Sequence, residues 1–423
     1  MRRWRTDGAV PRLAAALLLG VILFAPRAHS ETQVVAESRF SAVGLKRLSD
    51  YFANEVATER IPGAVVLIQQ HGKPVYSEAF GFRDPVSRVP MIKDAIFRIY
   101  SMSKPITSVA IMMLFDDGKI ALSDPLSKYI PAFADVTVGV EKKDESGGLA
   151  REPVKRPITI EDLLRHTSGI TYGFYGDSVV RKLYVSSGLF DGDFDNAQFA
   201  ERLAKLPLAE QPETLWDYGH SIDVLGRVVE IVSGKSLYQF EKERLLDPLG
   251  MIDTGFFVPE AQRARVAESL PSDRFERPVA GLGDPILPRR WESGGAGMDG
   301  TAEDYARFAE MLLEGGATDG KRYLKSATVA LMTSDHIGSE THIARDPFYF
   351  PGGDSGFGLG FAVRTVATTL LPAGEYRWDG VGGTFFFIDP KDDMLAIVMM
   401  QSPSQRGRIQ NEAKELIYEA LRR

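Results

Sequence analysis

Ser101 and Lys104 lie three positions apart in the segment Ser101-Met102-Ser103-Lys104, and this spacing can activate a nucleophile. Residues three apart share one face of a helix, so the lysine amine can reach the serine hydroxyl. A serine hydroxyl is a weak nucleophile until a neighbouring base accepts its proton. The N-terminus of a helix also offers free N–H groups to a developing oxyanion. The pattern therefore predicts a serine nucleophile with a lysine base at the start of a helix.

The alternative interpretation is that Ser101 only caps a helix and that Lys104 is solvated. A solvated lysine is expected among polar neighbours, whereas this one precedes the strongly apolar stretch 105–115. Pro105 also fits a helix start, because proline is tolerated in the first helical turn and is costly further along. These neighbours favour the catalytic interpretation.

The elements that must position these residues are strands at both ends of the chain and helices between them. Helices are predicted over 43–59, 102–116, 160–166, 196–206, 222–233, 301–315 and 409–422, and strands over 64–69, 74–81, 95–99, 358–367, 383–388 and 394–400. This order predicts an α+β fold. A discontinuous α/β sandwich lobe, about 40–117 and 291–423, would close on an all-helical lobe, about 118–290. A cleft between lobes is a usual place for a site.

The first thirty residues have the pattern of a secretory signal peptide. Arginines precede the apolar run 13–25, and Ala28-His29-Ser30 supplies small residues where cleavage is expected. A membrane anchor is the alternative, which the shortness of the run disfavours. We therefore expect an exported protein, periplasmic or secreted, whose mature catalytic domain spans 31–420 and has no membrane span.

Composition narrows the classes of partner and cofactor. The formal net charge is −7, and residues 1–30 carry five Arg and one Asp, so the remainder carries −11. A balance this acidic disfavours nucleic acid as a partner. The chain has no cysteine, which excludes a thiol nucleophile and a thiolate metal site. Its six histidines show no metal-ligand spacing, and no glycine-rich nucleotide motif is present, so neither a metal nor another cofactor is expected.

Five segments in order along the chain resemble the serine β-lactamase-related family, which includes class C β-lactamases, penicillin-binding D,D-peptidases and family VIII carboxylesterases. They are FRIYSMSKPITSVAIMMLFDDGKIALSDPLSKYIP around Ser101, ITIEDLLRHTSGI at 158–170, LWDYGHSIDVLGRVVEIVSGKSL at 215–237, GGAGMDGTAEDYARFAEMLLEGG at 294–316 and RWDGVGGTFFFIDPKDDMLAIVMMQ at 377–401. The resemblance covers most of 43–420 and implies the β-lactamase/transpeptidase-like fold.

The resemblance also implies roles for residues outside the first motif. Tyr218 matches the tyrosine of the family's Y-x-N motif and would be a general base or proton shuttle. Its pKa is expected to be lowered by the Lys104 ammonium. His220 stands where the family has Asn, and either contacts the substrate or is structural. Trp378 and Gly380 match the third motif, K-T-G or W-G-G in the family. The N–H of Val381, together with that of Ser101, would form the oxyanion hole.

Departures from the family pattern bear on the substrate. The sequence contains neither K-T-G nor Y-x-N, the groups that hold the carboxylate and amide of a β-lactam, and Asp379 adds a negative charge. A small-molecule carboxylic ester is therefore the favoured substrate. β-Lactamase, D-amino-acid peptidase or amidase activity is the second hypothesis. An inactive relative that binds cell-wall fragments or a protein partner is the third. The sequence carries no signal for a particular oligomeric state.

Overall fold

A twisted antiparallel sheet of eight strands forms the centre of the computed structural model, which describes residues 38–142, 148–190, 193–273 and 283–422. The predicted signal peptide over 1–30 lies outside the described residues. The strands are β1 (Gly63–Gln70), β2 (Lys73–Asp84), β3 (Val89–Pro90), β4 (Phe97–Arg98), β5 (Thr137–Glu141), β6 (Leu149–Pro153), β7 (Leu215–Trp216), β8 (Asp299–Gly300), β9 (Ala317–Thr318), β10 (Lys321–Arg322), β11 (Ala344–Arg345), β12 (Ser355–Phe357), β13 (Ala362–Arg364), β14 (Tyr376–Asp379), β15 (Phe385–Asp389) and β16 (Met394–Met400).

The order of strands across the large sheet is β12-β13-β14-β15-β16-β1-β2-β3, so the two ends of the chain meet where β1 pairs with β16. The helices are α1 (Ala42–Ala57), α2 (Ser103–Asp116), α3 (Ile160–Leu164), α4 (Val179–Ser186), α5 (Asn196–Leu203), α6 (Ser221–Ser233), α7 (Leu237–Glu241), α8 (Asp247–Leu249), α9 (Ala302–Leu313), α10 (Ser326–Met332) and α11 (Arg406–Ala420). Helices α3 to α8 lie in the chain between β3 and β12, the two edge strands of this sheet. The predicted α+β class is confirmed. The lobe boundaries at 117/118 and 290/291 stay predictions.

Both faces of the sheet are covered, which explains why its central strands are continuously apolar. Along β1, Ala64 and Val66 face the layer formed by α1 and α11, whereas Val65 and Leu67 belong to the core on the opposite face. The same alternation runs along β16. Successive side chains of a strand point to opposite faces, so two apolar layers require an unbroken apolar run.

Helix α2 is buried on all sides over most of its length and carries Lys104 of the predicted motif, while Ser101 lies just before its first residue. Every residue from Ser103 to Leu114 is buried, and the helix packs against α6. A helix that is apolar all round belongs in the interior of a large domain. The lysine that follows Ser101 by three positions is therefore carried into the interior.

Two predicted strands were too long, and one strand was not predicted. The predicted strand 95–99 is only Phe97–Arg98. The predicted strand 358–367 is only Ala362–Arg364 in the structure. The chain turns at Gly360, which has a φ of +97°, before this strand begins. Strand β14 was missed as an element, although Trp378 was expected near the site. Within the described ranges, no helix is long and apolar enough to cross a membrane, and no three acidic or histidine side chains gather in a way that could hold a metal ion.

Candidate active site

A tight turn presents Ser101 at the start of the buried helix. Tyr100–Met102 form one turn of 3-10 helix, and Tyr100 has a φ of +45°, which costs a non-glycine residue about 1–2 kcal/mol. Ser103 Oγ holds this turn by donating to the Tyr100 carbonyl (2.6 Å) and accepting the Met298 N–H (3.1 Å). Such strain is maintained only where the surrounding structure fixes it. The turn leaves Ser101 partly exposed while its neighbours are buried.

Lys104 Nζ lies 3.1 Å from Ser101 Oγ, within hydrogen-bonding distance. The same amine contacts the Tyr172 hydroxyl at 2.9 Å and the Gly295 carbonyl at 2.7 Å. The residue is 1% exposed. Burial lowers the pKa of Lys104 from 10.5 to about 7, even though the nearby carboxylate of Asp223 acts to raise it. An amine with this pKa is partly neutral at pH 7 and can accept a proton.

Tyr218 comes from the segment just before α6 and lies beside the lysine, whose Nζ is 4.6 Å from its ring centroid. The expectation that Lys104 would lower the pKa of this phenol was wrong. Burial raises the pKa of Tyr218 well above its usual value, and the Ser101 side chain lowers it only in part. Since burial also leaves Lys104 only partly charged near pH 7, the lysine stabilises the phenolate too little to offset the effect of burial on Tyr218.

Trp378 ties the end of β14 to Tyr218. Its indole Nε1 donates to the Tyr218 hydroxyl at 3.2 Å, and the two ring centroids are 5.3 Å apart. An indole N–H is a donor only, so the phenol oxygen is the acceptor in this bond. The proton of the phenol is therefore left for another partner on the Ser101 side.

The turn after β14 packs closely against the segment that leads to the nucleophile. A Cβ on Gly380 would lie 2.4 Å from the Ile99 carbonyl oxygen, so only glycine fits there. Thr384 Oγ1 donates to the same carbonyl at 3.4 Å. Val381 follows directly, and its N–H donates to no other described residue. These contacts hold the turn that contains Val381 against the segment that leads to Ser101. The two predicted oxyanion donors therefore lie on neighbouring segments.

His220 is enclosed and does not border open space. It is 1% exposed, and its Nδ1 is 3.1 Å from Asp223 Oδ2. The rings of Tyr172 and Phe190 lie against it at centroid distances of 4.5 and 4.8 Å. Burial lowers the pKa of His220. Of the two interpretations that the sequence left open, this environment favours the structural one.

Sequence reasoning missed two residues that position Lys104. Tyr172 bonds to its amine directly. Asp223 acts through the loop at Gly295: the Gly295 N–H donates to Asp223 Oδ1 at 3.0 Å, while the Gly295 carbonyl accepts from Lys104. Ser293 Oγ also donates to this carboxylate. A signal for Asp223 was available, because a carboxylate between Ile222 and Val224 interrupts an otherwise apolar helix start.

The profile of the Beta-lactamase family matches residues 48–419. Esterase EstB of Burkholderia gladioli is 33% identical over 382 residues, which cover 85% of this chain and 91% of EstB. Lovastatin esterase of Penicillium rubens is 32% identical over 374 residues, which cover 83% of this chain and 91% of that esterase.

A solved structure of EstCE1, titled "a hydrolase with promiscuous acyltransferase activity", superposes with a TM-score of 0.73 at 28% identity. The superposition covers 90% of this chain and 99% of EstCE1. The family resemblance of the five segments and the β-lactamase/transpeptidase-like fold are thereby confirmed. From its adjacent serine–lysine pair and its match over 48–419, we conclude that the chain belongs to the beta-lactamase family of serine hydrolases.

Proposed function

We propose that this protein is an exported esterase that forms an acyl-enzyme through Ser101 and acts on uncharged carboxylic esters. The observation that carries the proposal is the buried Lys104 amine 3.1 Å from Ser101 Oγ. Burial brings the pKa of Lys104 to about 7, which suits a base that must accept and return a proton near neutral pH.

Acylation begins when the neutral Lys104 amine takes the proton of Ser101 as Oγ attacks the ester carbonyl. The negative charge that develops on the carbonyl oxygen is held by the N–H groups of Ser101 and Val381. Removing one such donor from an oxyanion hole typically costs about 3–4 kcal/mol of transition-state stabilisation.

Collapse of the tetrahedral intermediate requires a proton for the leaving alkoxide, and Tyr218 supplies it. Burial keeps Tyr218 in its phenol form, so the residue carries a proton to give. The Trp378 N–H bond to its oxygen fixes the orientation of the ring. The phenol regains a proton from the Lys104 ammonium. Water then attacks the acyl-enzyme by the reverse proton path and releases the acid.

The walls around this site favour an apolar acyl or alcohol group. Tyr175 stacks on Tyr349 at 4.6 Å, and the Tyr349 ring lies 5.1 Å from that of Tyr218. Phe174 stacks on Tyr172 at 5.1 Å and is 48% exposed. Aromatic side chains bind apolar groups through large contact areas. The relatives named as esterases support the same substrate class.

The test uses the purified chain without residues 1–30, in wild-type form and as Ser101→Ala, against 4-nitrophenyl butyrate and nitrocefin. We expect wild-type hydrolysis of the ester, no turnover by the variant, and an unchanged unfolding midpoint. A fluorophosphonate probe should label the wild type, and peptide mapping should place the adduct on Ser101. Ester turnover that persists in the variant contradicts the mechanism.

Two other outcomes identify the rival functions. Fast nitrocefin turnover with negligible ester hydrolysis assigns the protein to the β-lactamase class. A folded protein with no turnover and no label favours the binding role.

Export is part of the proposal and rests on the sequence of residues 1–30. N-terminal sequencing of the protein recovered from periplasm and medium should begin at or near Glu31. Recovery of the intact N-terminus from the cytoplasm alone contradicts it.

A further inference from the structure

Asp379 and Arg406 form an ion pair at the edge of the active site. Asp379 is the last residue of β14 and lies between Trp378, which bonds to Tyr218, and Gly380 of the oxyanion turn. Arg406 is the first residue of α11, and its Nε donates to Asp379 Oδ2. The Arg406 side chain is 22% exposed and the Asp379 side chain is 9% exposed. The pair is therefore shielded from bulk water but still reachable.

Two observations connect this pair with Tyr218 and Lys104 of the predicted active site. Arg406 also donates to the Tyr349 hydroxyl at 2.8 Å, and the Tyr349 ring lies 5.1 Å from the ring of Tyr218. After burial, which is the largest cause, the charge of Asp379 raises the pKa of Lys104 and that of Arg406 lowers it. Both charges are therefore close enough to Lys104, the proposed catalytic base, to influence its pKa.

A cavity of about 530 Å³ opens beside the pair and is lined by Trp378, Asp379, Arg406 and Tyr349, among others. Ligand pockets are commonly about 300–1,000 Å³, so the space is large enough for a small acyl group, and its lining includes Trp378 but neither Ser101 nor Lys104. Within it, Arg406 presents a planar guanidinium that suits a carboxylate. Asp379 is a carboxylate of the protein itself that already occupies one side of this guanidinium.

We propose that Arg406 is a carboxylate-binding cation that Asp379 keeps occupied, so that the ion pair excludes acyl groups with a terminal carboxylate and admits neutral ones. A substrate carboxylate that approaches Arg406 meets the like charge of Asp379 in a poorly solvated place, where charges interact strongly. A neutral acyl chain meets no such repulsion. The inference rests on the proposed ester hydrolysis. It states that the residue at position 379 determines whether the enzyme accepts anionic esters or only neutral ones.

The test compares two esters of equal chain length, mono(4-nitrophenyl) glutarate and 4-nitrophenyl pentanoate. The quantity measured is the ratio of kcat/KM for the anionic ester to that for the neutral ester. In Asp379→Asn this ratio should rise by about tenfold or more, because a charge-assisted hydrogen bond to Arg406 becomes available. In the double variant Asp379→Asn/Arg406→Gln the gain should vanish. Arg406→Gln alone should lower the ratio below that of the wild type, because Asp379 is then uncompensated.

The matched control is Asp117→Asn, which removes one negative charge and frees Arg244 on the surface beyond the far end of α2. Its ratio should equal that of the wild type. A ratio in Asp379→Asn within about twofold of wild type, or a gain that survives loss of Arg406, overturns the inference.

The proposed function is judged separately by pentanoate hydrolysis in the wild type and its loss in Ser101→Ala. If no variant turns over either ester, calorimetric titration with methyl hydrogen glutarate tests the cation without catalysis. Binding by Asp379→Asn about tenfold tighter than by the wild type supports the inference, and equal binding overturns it.

Discussion

Replacing Lys104 by methionine should abolish hydrolysis and at the same time stabilise the protein at neutral and acidic pH. The lysine is 1% exposed, and its pKa falls from 10.5 to about 7 because of burial. In the unfolded chain the amine is charged at pH 7, so folding must remove a proton or bury a charge. Methionine fills a similar volume and carries no charge.

The size of the effect follows from the two pKa values. A shift from 10.5 to about 7 corresponds to about 5 kcal/mol of cost at pH well below 7 and about 4 kcal/mol at pH 7. Methionine also leaves the Tyr172 hydroxyl and the Gly295 carbonyl without a donor, which costs about 1–3 kcal/mol. The net gain in unfolding free energy at pH 7 is therefore about 1–3 kcal/mol.

The pH dependence is the decisive measurement. Because the folded pKa lies below the unfolded one, Lys104 binds more protons in the unfolded state between about pH 7 and 10.5, and its contribution to wild-type stability rises with pH in that window. The stability advantage of the variant should accordingly shrink by about 3 kcal/mol between pH 6 and pH 9. Buried groups that the Lys104 charge does not reach titrate equally in both proteins and cancel in the difference, whereas His166, His220 and Asp223, whose pKa values that charge lowers, do not cancel fully.

Urea unfolding at pH 6, 7, 8 and 9 measures this difference, with equal slopes required for both proteins. The matched control is Lys119→Met, an exposed lysine just beyond the end of α2, which reports the loss of a lysine charge without burial. A difference between wild type and Lys104→Met that stays constant from pH 6 to pH 9 would refute the assignment of a buried, neutral amine.

Three further predictions follow from the site. The kcat/KM for a neutral ester should rise with pH through about 7 as Lys104 loses its proton. Asp223→Asn should move this rise to lower pH, because the substitution removes a charge that raises the pKa of Lys104. The pH dependence of kcat/KM in both proteins measures the two effects. Trp378→Phe should lower kcat by about fivefold with little change in KM, since Tyr218 loses the donor that orients it; steady-state kinetics measure this. Gly380→Ala should destabilise the protein by about 1–3 kcal/mol, since its Cβ would lie 2.4 Å from a carbonyl oxygen; urea unfolding measures this.

Local patterns were sufficient to predict most of the elements around the site. The apolar runs at Ala64 and Met394 predicted the two central strands, and the apolar stretch after Pro105 predicted α2. These predictions succeeded because side-chain period and burial leave a direct trace in consecutive residues. The strand 95–99 was overestimated because a short apolar run is compatible with several conformations, and tertiary packing decides among them.

The electrostatic predictions depended on burial that the sequence does not state. The pKa of Tyr218 was expected to fall and instead rises, because the phenol is enclosed among aromatic rings and its neighbour Lys104 is itself depleted of charge. Likewise, Asp379 appeared as an isolated departure from the family pattern, and its partner Arg406 follows 27 residues later. The spacing of two charges along a chain does not predict their distance in space.

The sequence by itself determined that Ser101 and Lys104, the predicted nucleophile and base, lie side by side, since they are joined by one helical turn whose geometry is fixed by the backbone. It also determined the family, through five segments in a constant order. Only the tertiary structure decided that Tyr172 and Asp223 position the lysine and that Asp379 is neutralised by Arg406. The physical reason is that short-range geometry is set by covalent structure and backbone sterics, whereas long-range contacts and the local dielectric arise only when the whole core packs.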